Sequence, residues 1–599
     1  MHTSWHKLVT PREDLRTGRP LDASEFAVHL DRVRTGQAPE VYRDPAQFFE
    51  RTYLTEHLAD FAAEVLRRLS GVHVATSAVF HLTTPFGGGK THALTLLYHL
   101  ARGGPGALQW HGVPELLQRA NLARPPQADV AVFVGTEFDS ITGRGGGDGT
   151  PLRRTPWGEI AWQLRGEAGF RLVAEHDRQG TAPGNDVLER LIPGDRPTLL
   201  LMDELLNYVS RYRKQGLAQQ LYNFIHALVR WAPGKDNVVV VVALPASTLE
   251  MNEEDEADYE RYKKVLDAVG KAVTLSGEAD TAEIIRRRLF EWSGLPEAAA
   301  STIDAYKRWF LQHRQQLPTW FPVDTAERTL AKCYPFHPSL LSVFERKWQS
   351  LPHFQRTRGV LRMLALWIAH GYRTGWERDG GEPLIGLGTA PLDESIFRDA
   401  VIEQLGEDRL RAVVEADIIG RDDSHALRLD DQAADSVRER HLHRKVATAV
   451  FFESNGGQLH TAATLPEVRL AVGEPDLEIG LVEQCLENLV ENCYYLTAQG
   501  QRYRFSIRPN LNKLLADRQA SIRDEDVRAR CRTVVQQAFG RTASTRDVER
   551  VPFPERTTDV PDTPVLKLVV LPPEMTARDG ETTEWIERLL REHGSSART

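Results

Sequence analysis

The sequence predicts an α/β fold: a parallel sheet with helices on both faces, continuing into a helical second part. Three observations predict it. Short apolar runs at residues 77–82, 129–135, 198–202 and 237–244 alternate with stretches of helical periodicity. Near-continuous apolar strands of this kind suit a sheet buried on both faces, and strands separated by helices run parallel. A glycine-rich run ending in Lys90-Thr91 follows the first strand, and an acid pair, Asp203-Glu204, closes the third. Both lie past the carboxyl ends of strands, the edge at which open α/β sheets bind ligands.

In chain order, residues 1–70 form an N-terminal extension whose last part, 46–70, has helical spacing and stops at Gly71. Residues 71–280 carry the sheet. Its helices are expected at 91–102, 157–176, 217–231 and 259–269, and a fifth strand at 272–275. Residues 281–375 read as helical. Residues 376–395 are rich in Gly and Pro and read as a linker or loop, opening a segment that runs to 440. Residues 441–518 give three helices and then a hairpin about Ala498-Gln499-Gly500, an order that resembles a winged helix. Residues 519–599 give a helix, a polar linker at 540–563, and a strand–helix pair at 565–571 and 581–592 with no visible sheet to join.

Composition bounds the function. The 599 residues make about four domains at roughly 150 residues each. Apolar residues are 41% and charged residues 26%, which excludes a disordered or collagen-like chain. A net charge of −9 argues against a protein that coats nucleic acid, though not against a local basic patch. The four cysteines, Cys333, Cys485, Cys493 and Cys531, form no CxxC pair, so neither a zinc site nor a disulfide framework is expected. No apolar run is long enough to span a bilayer, and the N-terminus lacks a signal core, so a cytoplasmic location is expected.

The chemistry is concentrated in two motifs. Thr84-Pro85-Phe86-Gly87-Gly88-Gly89-Lys90-Thr91 matches the phosphate-loop pattern GxxxxGK[ST] except that Thr84 replaces the first glycine. Glycines let backbone N–H groups approach phosphates, Lys90 reaches the β- and γ-phosphates, and Thr91 ligates Mg2+. The helix that begins here adds its positive dipole end, with His92 in its first turn. Leu199 to Met202 then lead into Asp203, placed to hold Mg2+, and Glu204, placed to orient and deprotonate the attacking water. ATP and Mg2+ are the expected cofactors.

Further candidates each have a plainer alternative. Ser247, after the fourth strand, is placed to touch the γ-phosphate or the water, or is an ordinary turn residue. Arg362, early in the helix that follows Thr357, is either a lid arginine facing the phosphoryl group or a salt-bridged helix residue. Arg286, Arg287 and Arg288 point in different directions; most are expected in solvent, with one a candidate for acting in trans. His337 reads as a capping or packing residue, His441 and His443 lack a metal cluster, and the acid run 253–258 and the glycine run 145–149 read as loops. The third helix of the winged-helix-like region carries Glu483, Glu487 and Glu491, which phosphates repel. Any DNA contact falls to Arg502, Arg504 and Arg508 in and after its hairpin, with protein–protein packing the alternative.

This order of strands, motifs and helices resembles the AAA+ ATPases of the origin-recognition and STAND type. TPFGGGKTH and LLLMDE suggest a narrower match, joined by Asp44-Pro45-Ala46-Gln47-Phe48-Phe49, by Thr52-Tyr53-Leu54-Thr55, by Tyr334-Pro335-Phe336-His337-Pro338 and by FQRTRGVLR. Together they resemble a family of bacterial and archaeal ATPases of unknown function, encoded in phage-defence gene clusters with DNA methyltransferases and helicases. The resemblance implies an AAA+-type ATPase core with a helical lid and a winged helix, acting in an antiviral complex on DNA. Defence proteins such as the methyltransferase and helicase are then the expected partners, and a homo-oligomer is compatible. It supports Lys90 and Thr91 at nucleotide, Asp203 and Glu204 at Mg2+ and water, and Arg362 as a lid sensor. It offers Phe48 or Tyr53 for packing on adenine, with core packing as the alternative. Members of that family are usually longer, so the pair after residue 560 is expected to begin a domain completed elsewhere. A nucleotide-gated scaffold and a DNA-sensing switch with little turnover are the rival readings.

Overall fold

The computed structural model describes residues 3–17, 26–83, 89–244, 251–275, 280–351, 356–377, 381–420, 423–456, 461–541 and 548–592. The chain divides into two compact units, Met1–Ile507 and Arg508–Thr599.

After two one-turn helices, Trp5–Leu8 and Glu13–Arg16, the first unit continues with helices numbered α1 (Leu30–Thr35), α2 (Pro45–Glu50) and α3 (Glu56–Leu69). Asp44 and Thr55 cap α2 and α3, so the single helical stretch expected over 46–70 is two helices. The sheet follows: β1 (Val79–Leu82), α4 (Lys90–Gly103), β2 (Asp129–Val134), α5 (Pro156–Gln179), β3 (Thr198–Asp203), α6 (Leu205–Tyr212), α7 (Leu217–Trp231), β4 (Val238–Ala243), α8 (Glu253–Val269) and β5 (Lys271–Val273). All five strands are parallel, in the order β2-β3-β4-β1-β5. β4 is five valines and an alanine, and none is more than 1% exposed. Alternate residues feed two cores. Leu199, Leu201, Val239 and Val241 face α3 and α4, while Leu200, Met202, Val240 and Val242 face α6, α7 and α8.

The acid run 253–258, expected as a loop, is the start of α8, capped by Asn252. Four acids in a first turn suit a helix N-terminus. α5 runs longer than its pattern and is broken at Arg165 and Gly166, where the backbone leaves helical geometry.

A second core gathers α9 (Thr281–Leu289), α10 (Ala299–Gln312), α11 (Pro338–Arg346), α12 (Arg356–Glu377), α13 (Ser395–Leu405) and α14 (Leu442–Ser454) with the segment β6 (Ala463–Thr464), α15 (Leu465–Val472), α16 (Gly480–Asn492), β7 (Leu496–Gln499) and β8 (Arg502–Phe505). These last strands form an antiparallel sheet in the order β6-β8-β7. The described part of the stretch expected as a linker or loop is a loop packed into this core. Leu384, Ile385, Leu387 and Leu392 are buried, and Ile385 bridges Phe336.

The second unit holds α17 (Leu511–Ser521), α18 (Asp524–Arg541), β9 (Val548–Pro552), β10 (Leu566–Val570) and α19 (Gly580–Glu592). β10 has a partner after all: it pairs in parallel with β9, inside the stretch expected as a linker. Among the described residues no helix is long and apolar enough to cross a membrane, and no His/Cys/Asp/Glu group is arranged to hold a metal by itself.

Candidate functional site

The site forms where β1 and β3 end, on either side of β4. Gly89 takes φ +80°, a left-handed conformation that glycine adopts without strain, and turns the chain into α4. Thr91, in the first turn of α4, donates through Oγ1 to Asp203 Oδ2 at 2.6 Å. The helix after the first strand and the end of the third strand are thus joined by the two residues the sequence assigns to Mg2+.

Asp203 is 3% exposed, and its other oxygen accepts from the Glu204 N–H at 3.0 Å. Burial pushes its carboxyl up to about 6, with the Glu204 charge adding to the rise; the Thr91 hydrogen bond and the Lys90 charge oppose it. A hydroxyl and a carboxylate at this separation are hard oxygen donors of the type Mg2+ takes, so these residues fit the ion.

Glu204 has φ +49°, unusual for a residue with a Cβ. That backbone turn ends β3, starts α6 and leaves the side chain exposed at the sheet edge. Thr136, on the loop after β2, donates through Oγ1 to Glu204 Oε2 at 2.5 Å. Gly135 makes the approach practicable: a Cβ there would lie 2.3 Å from the Glu204 carbonyl oxygen. Neither Gly135 nor Thr136 was singled out from the sequence. The available signal was a small and then a polar residue directly after an apolar strand, at the ligand-binding edge of the sheet.

His92 lies on the other flank of α4. Its ring sits 4.5 Å from that of Phe48, and its Nε2 is 2.9 Å from Thr52 Oγ1. Desolvation, with the Arg288 charge adding, lowers its pKa to about 3, so the ring is neutral. Phe48 is only 1% exposed and packs against His92 and His99. Tyr53 is half-buried, and its phenol feels the charges of Glu283, Asp280, Arg286 and Arg287 around α9.

Thr84, Pro85, Phe86, Gly87, Gly88 and Ser247 lie outside the described residues. Arg362 pairs with Glu403 of α13 at 2.8 Å, the salt-bridged arrangement that was its alternative. Arg286, Arg287 and Arg288 are not solvated as expected. Arg286 is buried, paired with Glu283, and donates to the Tyr334 carbonyl; Arg287 bonds His111 and the Trp292 carbonyl; Arg288 stacks over Tyr42. His337 caps α11 as expected, accepting from Ser339 N–H.

A protein-family profile described as the DUF499 N-terminal domain matches residues 12–280. The matched span includes all five strands of the parallel sheet together with Thr91, Asp203 and Glu204. No curated protein matches the chain.

Proposed function

We propose that this protein binds ATP with Mg2+ and hydrolyses it, as an AAA+-like ATPase. The observation that carries the reading is the Thr91–Asp203 hydrogen bond with Glu204 next in the chain, at the carboxyl ends of two strands separated by β4. In this reading the first-turn N–H groups of α4 and Lys90 hold the phosphates. Thr91 and Asp203 hold Mg2+, which when bound neutralises charge on the transferred phosphoryl group. Glu204 orients a water and accepts its proton, and Thr136 fixes the carboxylate's direction between turnovers. Phe48, buried in the core, is a poor adenine platform; Tyr53 keeps an accessible edge and remains the candidate.

The winged-helix reading of 441–518 is supported by the succession α14, α15, α16 and the β7–β8 hairpin. Action on DNA within a phage-defence assembly of methyltransferase and helicase partners rests on the resemblance of the motifs. A DNA-sensing role is favoured by Arg502 and Arg504, both exposed on β8.

Lys90→Ala is expected to abolish ATP binding. Glu204→Gln is expected to keep binding and lower turnover by about 10²–10⁴-fold. Unchanged hydrolysis in Glu204→Gln overturns the catalytic assignment. ATPase rates with and without DNA separate the motor from the sensing switch.

A further inference from the structure

The two elements that flank the reaction edge are tied together by one arginine far from it. α6 begins directly after Glu204 and is only eight residues long, about 12 Å. A rod so short transmits a tilt at its far end directly to the carboxylate at its near end. One side of α6 is keyed to the loop after β2: Tyr208 Oη lies 2.7 Å from Ser140 Oγ, and Tyr212 Oη accepts from Ser140 N–H and donates to Asp139. The other side is held by Arg213, the residue that ends α6. Its guanidinium meets three carboxylates in the first turns of α8: Asp255 at 2.6 Å, Asp258 at 2.7 Å and Glu254 at 2.7 Å.

The far end of α8 reaches the other half of the site. Its last turns pack on β1: Leu266 and Val79 share one core cluster, and Asp267 Oδ1 approaches Nε2 of the buried, neutral His81 at 3.0 Å without hydrogen-bond geometry. β1 is the strand that leads into residues 84–91, and Tyr259, Tyr262 and Leu266 seat α8 in the core between these contacts. The path is therefore continuous: Glu204, α6, Arg213, the acids of α8, and the packing of α8 through Leu266 on Val79 of β1.

We infer that Arg213 is a positioning residue for Glu204, latching α6 to α8 so that the water-activating carboxylate is held in register with the strand that presents the phosphate loop. This deepens the ATPase reading and rests on it. A guanidinium suits the task because its planar fork engages several carboxylates at fixed angles. Among the described residues Arg213 pairs with the acids of α8 and not with Lys90 or Thr91, so the latch is expected to act on turnover and not on nucleotide affinity.

The test uses the full chain and reads ATP turnover and fluorescent-ATP affinity separately. Arg213→Gln and the pair Asp255→Asn/Asp258→Asn are each expected to lower kcat about tenfold with affinity within twofold. All three changes together are expected to cost no more than either set alone, because they break one latch. Arg213→Lys, which keeps the charge, is expected to recover much of the rate and to lose it as salt is raised. Unchanged kcat in Arg213→Gln overturns the inference, as does a parallel loss of affinity or losses that multiply. If Arg213→Gln does not fold, the Asp255→Asn/Asp258→Asn pair decides by the same criteria. Glu204→Gln run alongside separates the two claims: turnover lost there but kept in Arg213→Gln sinks only the latch. Turnover unaffected by Glu204→Gln, or absent from the unmodified chain, sinks the ATPase reading and the latch with it.

Discussion

Asp203 is buried at an energetic cost. Its pKa of about 6 in the folded chain exceeds the ordinary 3.8. Below about pH 4 the group is protonated in both states and costs nothing. Between about 4 and 6 the folded state binds the extra proton, so stability falls as pH rises through that window. Above 6 the whole penalty of roughly 3 kcal/mol is present. Asp203→Asn removes that charge but leaves one acceptor too few for both Thr91 and the Glu204 N–H, a loss of about 1 kcal/mol. The net expectation at pH 8 is a metal-free protein more stable by about 1–2 kcal/mol, with the advantage gone by pH 4. Urea unfolding at the two pH values measures it, and an Asn variant less stable at pH 8 contradicts the account. Mg2+ binding in the unmodified protein should tighten as pH rises through 6, because the ion needs the carboxylate.

Elements of the second core are joined by buried charge as well as by apolar contact. Lys347, just after α11, is 3% exposed and places Nζ 2.7 Å from Glu453 of α14 and 3.1 Å from Glu467 of α15. Glu467 also closes the capping box with Thr464. Lys347→Ala leaves two carboxylates in a low-dielectric site, and a loss of about 3–5 kcal/mol is expected. Lys347→Met with Glu453→Leu removes charge from both sides and is expected to cost less, since Arg346 still faces Glu467 at 2.9 Å. Comparing the unfolding free energies of the two variants checks this. The same elements show what a sequence pattern carries. α7 has the bounds its spacing predicts, and β1–β5 fall within a few residues of theirs, because apolar runs with polar ends mark their own limits. β9 was missed because Glu549, Arg550 and two prolines disguise a short strand as a polar linker. Residues 381–394 are a loop, one of the two readings their Gly and Pro allow; that composition does not say that core surrounds it. In the site, Thr91 and Asp203 were legible because phosphate and metal chemistry dictate residue types at fixed spacing. Thr136 and Arg213 meet Glu204 and the α8 acids through contacts between distant parts of the chain, which spacing does not encode.

At the scale of the first unit, residues 3–17 join the sheet-bearing half to the second core. Trp5, Val9 and Leu15 are each 4% exposed and belong to the core of α9–α14, although the chain next builds the helices of the sheet. The backbone is stitched there by Trp5 N–H to Glu382 O at 3.1 Å, Arg12 N–H to Leu289 O at 3.0 Å and Glu291 N–H to Thr10 O at 2.9 Å. The charged side chains turn both ways. Arg12 pairs with Glu50 at the end of α2, and Asp14 with Arg51, while Arg16 pairs with Glu291 beyond α9. Burying three large apolar side chains stabilises by about 1.5–3 kcal/mol each, a large fraction of the 5–15 kcal/mol that holds a domain. Trp5→Ala, whose ring packs edge-on against Phe290 at 6.1 Å, is therefore expected to cost about 3–5 kcal/mol. Arg12→Ala should weaken the connection between the halves while leaving the second core packed, since its partners are Glu50 and the Arg287 carbonyl. Hydrogen exchange distinguishes the two. Trp5→Ala should raise exchange across α9 and α12, where its ring packs, and Arg12→Ala should raise it at α2 and the end of α9 alone. Exchange confined to residues 3–17 in both variants would mean that the segment lies on the surface without bracing either half.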